Sequence, residues 1–123
     1  MNRLTALFVK AAVLYGLIGF TIGLVMGATG NFTLRSAHSH LNLLGWTSLA
    51  IYAGFYQIAP KASELLASTV HFYLAILGTA VITIGVGLIS YGVGAPGAAI
   101  AGIGSVITLA SFLVFTYIVF KTT

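Results

Sequence analysis

Apolar residues in this chain neither alternate as in a strand nor mark one face of a surface helix. They run almost unbroken in four blocks, over residues of about 4–28, 34–58, 64–91 and 98–120. Each block comes close to or exceeds the roughly 20 residues that a helix needs to cross a bilayer. Short polar breaks separate them. Gly30-Asn31-Phe32-Thr33 is the first predicted turn. Pro60 ends the second helix, because proline cannot continue the backbone ladder. Ser63 is the expected N-cap of the third helix, with Glu64 in its first turn, where a negative charge suits the helix dipole. Gly92-Val93-Gly94-Ala95-Pro96-Gly97 is the last expected turn. The pattern predicts an all-α protein, an integral membrane four-helix bundle forming one domain.

Composition sharpens this. Of 123 residues, 59% are hydrophobic and only 5% charged, against about 25% charged in a soluble domain. Such a chain cannot cover a water-facing surface. The net charge of +4 is spread too thinly for a nucleic-acid patch. With four spans, Arg3, Lys10, Lys61 and Lys121 share one side and Arg35 stands alone on the other. That bias predicts cytoplasmic N- and C-termini, in the inner membrane of a bacterium or archaeon. The apolar run after Lys10 is too long for the core of a cleaved signal and is expected to be the first helix. There is no cysteine, which excludes disulfides, thiolate metal sites and covalently attached haem. Gly19, Gly23 and Gly27 form a small-residue ridge suited to close helix packing within the protomer.

The candidate chemistry lies in Arg35-Ser36-Ala37-His38-Ser39-His40-Leu41-Asn42-Leu43-Leu44-Gly45-Trp46. Ionisable side chains at membrane depth are rare and are functional candidates. Successive helical side chains are about 100° apart, so His38 and His40 point to opposite flanks and cannot chelate one ion. Asn42 and Trp46 continue the direction of His38; Leu44, Thr47 and Ile51 continue that of His40. One four-helix protomer easily surrounds only one flank. A closed ring of copies supplies the other, with His38 from one copy facing His40 from its neighbour. Two opposed imidazoles suit a bis-histidine haem, and Arg35, one turn before His38, would neutralise a propionate. On chemistry alone, two histidines that merely hydrogen-bond to neighbouring helices fit equally well.

A family resemblance bears on that choice. Ala37-His38-Ser39-His40-Leu41 with Ala53-Gly54-Phe55-Tyr56-Gln57-Ile58-Ala59-Pro60-Lys61 resembles the tenth helix of the haem-copper oxidase catalytic subunit. Val70-His71-Phe72-Tyr73-Leu74-Ala75-Ile76-Leu77-Gly78 is similar to the opening of its eleventh helix. Arg35 with His38 also resembles an Arg-x-x-His of nitric oxide reductase and cbb3-type relatives. The resemblance is specific over residues 35 to 78. It implies one four-helix repeat of a twelve-helix ring, hence a homotrimer that reproduces the ring. It also implies metal ligation by His38 and His40, with non-covalent haem b between protomers and Arg35, Asn42 and Trp46 beside the cofactor. The histidine cluster that holds the family's copper has no counterpart, nor do its paired propionate arginines. Electron transfer to or from an unidentified redox partner is therefore expected rather than oxygen reduction. Two other functions stay open: a haem- or copper-binding or gas-sensing membrane protein, and a structural accessory without a cofactor. His71 is expected on the order of 20 Å in depth from His38 by helical rise, outside that site, in an interhelical hydrogen bond. Tyr52, Tyr56 and Tyr73 are expected as interfacial belt aromatics.

Overall fold

The computed structural model describes the whole chain, Met1–Thr123. It is all-α: α1 (Arg3–Thr29), α2 (Arg35–His40), a π-helical segment (Leu41–Ser48), α3 (Leu49–Ile58), a 3-10 turn (Pro60–Glu64), α4 (Leu66–Ser90) and α5 (Gly94–Thr122). The pieces from Arg35 to Ile58 follow one another without a break, so the chain makes four helical rods. α1, α4 and α5 are each long and apolar enough to cross a membrane. Leu14, Leu17, Leu24, Val106 and Leu113 stand exposed on their outer surfaces, as expected for helices surrounded by lipid or other protein. These are the length and composition of an integral membrane protein.

Local chemistry explains the boundaries. Asn2 caps α1, its Oδ1 accepting the Thr5 amide at 2.8 Å, while its Nδ2 donates to the Tyr56 carbonyl at 3.0 Å and ties α1 to α3. Gly30 ends α1 with φ 68°, a conformation that costs glycine little. The third rod begins later than the sequence suggests, at Leu66 rather than Glu64, and Ser63 is not its cap. Ser63 Oγ instead closes the 3-10 turn on the Pro60 carbonyl at 2.6 Å. The proline starts that turn, so the polar residues are used inside it. The last turn is also shorter than expected. Gly92 alone takes positive φ, and α5 starts at Gly94, because Pro96 falls in the first helical turn, where no amide is needed.

Packing differs between the two ends. At the end carrying the termini and the 3-10 turn, the four rods converge on Phe8, Tyr56, His71 and Ile118, all fully buried. Phe8 stacks on Tyr56 with ring centroids 5.5 Å apart, and His71 stacks on Phe115 at 5.0 Å. Tyr52 and Tyr56 are therefore core residues and not belt aromatics; only Tyr73 remains exposed. Toward the Arg35 end α2 packs against both α1 and α4, the π-helical segment lies mainly on α1, and the most extensive pairing is that of α4 with α5. α4 and α5 approach through small residues spaced by seven, Gly78 and Gly85 against Gly97, Gly104 and Ser111, all buried. A repeat of seven keeps a seam facing its partner in a left-handed pair, and small residues let the backbones touch.

Candidate haem-ligating site

The helical piece that carries the histidines is only six residues long and runs straight into the eight-residue π-helical segment. A sequence of this kind reads as one α-helix, so the π segment is a finding of the structure. Two side chains lie at it. Ser48 Oγ donates to the Leu43 carbonyl, five residues back, at 2.7 Å. Tyr15 crosses the second rod at Gly45, where a Cβ would lie 2.5 Å from Tyr15 Cβ, and its hydroxyl reaches the Ile76 carbonyl at 2.6 Å. Side chains inserted at the ladder are an ordinary cause of helix distortion. Such π turns are frequent at functional sites.

His38 faces α1. Its Nδ1 lies 2.7 Å from the Gly19 carbonyl, and a Cβ at Gly23 would stand 2.6 Å from its Cε1. A carbonyl only accepts, so Nδ1 donates, and in the neutral ring the lone pair is on Nε2. Asn42 Nδ2 is 3.4 Å from His38 Nδ1 and 3.3 Å from Nε2. Near-equal distances to both nitrogens put the amide over the ring face and off the Nε2 lone pair. Asn42 Oδ1 is buried without a partner and abuts Gly19. Trp46 continues the stripe, its ring 3.3 Å from where a Gly16 Cβ would be, with its edge against Phe20. The ridge of α1 thus uses Gly16, Gly19 and Gly23, while Gly27, expected in it, faces open space.

His40 lies on the other flank. Its Nδ1 is 2.7 Å from the Ser36 carbonyl, so the same reasoning leaves Nε2 free. Both imidazoles are half-buried, and Arg35 is exposed one turn before His38. The structure therefore brings His38, Asn42 and Trp46 together against α1 and keeps His40 apart from them. No three His, Cys, Asp or Glu side chains gather at one point. An Nδ1–H held by a backbone carbonyl fixes the tautomer and ring orientation of metal-ligating histidines, and both histidines have it. Haem iron would find one Nε2 on each flank, that of His40 without a protein partner and that of His38 beside Asn42 Nδ2 at 3.3 Å and against α1.

His71 is elsewhere, in the aromatic core of the opposite end. Its Nδ1 is 2.9 Å from the Tyr56 hydroxyl across α4 and α3, the interhelical bond expected of it, and its Nε2 is buried without a partner. The Tyr56 side of this pair, the Tyr15 crossing and the π segment were not readable as functional elements. Each depends on contacts between rods, which the sequence pattern does not carry.

Comparison of the chain with protein-family models, with curated proteins and with solved structures gave no match.

The ridge yields a test. Gly23→Ala puts a methyl against His38 Cε1 and displaces the ring from its carbonyl. Loss of an orienting contact of this kind weakens metal binding by about 10–100-fold, so if His38 ligates haem, titration of the purified chain with haem should show that loss. Gly27→Ala, with nothing within 4 Å, should bind as the parent does.

Proposed function

We propose that this chain is a membrane b-type cytochrome that transfers electrons, with haem b held between protomers of a homotrimer. The observation that carries the reading is the state of the two imidazoles. Each spends Nδ1 on a backbone carbonyl, at Gly19 and at Ser36, which leaves the two Nε2 atoms on different flanks of one helix, that of His40 without a partner and that of His38 beside Asn42 Nδ2. A single protomer then supplies two half-sites and no complete one. A ring in which His38 of each copy faces His40 of the next completes every site. The resemblance of residues 35 to 78 to one repeat of the haem-copper oxidase catalytic subunit supports the ring of three.

The bound haem supplies a one-electron couple. The protein's part is to hold and tune it. The Gly19 and Ser36 carbonyls orient the two ligands, Asn42 braces the face of His38, and Arg35 offers a charge-assisted bond to a propionate. A haem held by both His38 and His40 would serve electron transfer rather than oxygen reduction or gas sensing. The basic residues at the opposite end support a reading with the termini in the cytoplasm and the histidines near the outer face of an inner membrane.

An absorption spectrum of protein expressed with added haem tests the reading. Soret and α bands are expected, with the reduced form resisting carbon monoxide, and the His38→Ala/His40→Ala double variant should lack them. Bands that persist in the double variant, or no bands in the parent, would overturn the proposal. Ready carbon monoxide binding would point instead to an open haem face.

A further inference from the structure

At the end of the bundle away from the two histidines, the first turns of α1 and α4 part around a cavity of about 250 Å3. Arg3, Ser63, Thr69 and Tyr73 form its polar side, and Leu7 and Phe72 its apolar side. The Thr69 hydroxyl is not spent within the protein; those of Thr83 and Ser111 are also without a partner but are buried inside the bundle, whereas Thr69 lines the cavity. Thr69, Tyr73 and Arg3 are all exposed at the mouth.

One guanidinium and free hydroxyls set against an apolar wall match an amphiphile that carries a phosphate. Pockets for whole small molecules measure about 300–1,000 Å3, so this one suits a headgroup whose tails lie outside it. The tails have a path, because Leu14 and Leu77 continue the faces of Leu7 and Tyr73 and are exposed. Arg3, Lys10, Lys61 and Lys121 lie at the same end and outnumber Glu64, the only acid in the chain, which adjoins Ser63 beside the cavity, so the net local charge favours an anionic headgroup over a zwitterionic one.

We infer that this cavity binds the headgroup of an anionic glycerophospholipid, its phosphate on Arg3, Thr69 and Tyr73 and its acyl chains along α1 and α4. The inference rests on the reading of the chain as a membrane protein with these helix ends at the bilayer surface.

Native mass spectrometry of the detergent-purified chain, titrated with dioleoylphosphatidylglycerol or dioleoylphosphatidylcholine, reads the preference directly. The first phosphatidylglycerol should bind more tightly by over about fivefold, the most that one basic residue gives by non-specific attraction. Arg3→Gln and Thr69→Val should each remove that preference, while Lys10→Gln and Lys121→Gln leave it in place, with circular dichroism verifying that every variant stays helical. Equal losses in all four variants, no preference in the parent, or full competition by millimolar inorganic phosphate would overturn the site. Alkaline carbonate extraction of native membranes separates the two readings. Release of the chain would sink the membrane reading itself, whereas retention without lipid preference sinks only this site.

Discussion

Co-expression of His38→Ala and His40→Ala chains is expected to restore haem that neither variant binds stably alone. In a closed ring each interface takes His38 from one copy and His40 from the next. A site is intact where a chain that keeps His38 precedes a chain that keeps His40. With random mixing in equal amounts, about one interface in four meets that condition, so the Soret band should return to about a quarter of its parental intensity per chain. Each variant alone leaves every site with one imidazole and should give at most a weakly held, carbon monoxide-reactive haem. A mixture with no recovery would mean that both ligands of a site come from one chain or that no haem site exists. The experiment depends only on which chains supply the ligands, so it tests the geometry separately from any redox activity.

The second large effect lies in the α4–α5 seam. Gly85→Leu should separate the helices and cost well over the roughly 1–3 kcal/mol typical of overpacking. The reason is the identity of the neighbour. A Cβ at Gly85 would stand against the Ala101 amide and only 2.6 Å from Ala101 Cα. A flexible side chain can swing aside, but backbone can yield only by moving the whole helix. Gly104 meets Ile82 in the same way, with Ile82 Cα 2.6 Å from its Cβ position. Gly102→Ala is the control: it lies on the same helix in open space, and relief of glycine's backbone entropy should leave it neutral or stabilised by about 0.5–1 kcal/mol. Unfolding in mixed micelles, followed by circular dichroism, would give both values. Equal behaviour of Gly85→Leu and Gly102→Ala would show that the two helices do not touch there.

Seven-residue spacing of small residues was open to inspection in Gly97, Gly104 and Ser111, yet it gained meaning only once α4 lay against α5. The ridge on α1 shows the same limit. Gly19 and Gly23 could be named in advance as a packing face, but Gly27 shares their spacing and touches nothing within 4 Å, while Gly16 joins the contact through Trp46. Periodicity marks a face of a helix. Where the partner helix runs out decides how much of that face is used.

The sequence by itself determined that four long apolar segments form helices with almost no charge to face water, because backbone groups in an apolar setting must bond within their own segment. It also determined that His38 and His40 leave one helix on opposite flanks, since two residues of helical rotation allow nothing else. Only the tertiary structure decided the rest. Ser63 is drawn into a 3-10 turn and gives up its cap, Tyr52 and Tyr56 turn inward to His71, and the second helix widens into a π segment where Tyr15 crosses Gly45. The first depends on the local turn that Pro60 opens, and the last two depend on side chains from separate rods meeting at one place. So does the state of the first of the two histidines: the Gly19 carbonyl that fixes the proton of His38 sits nineteen residues away, whereas the Ser36 carbonyl that serves His40 is one helical turn back.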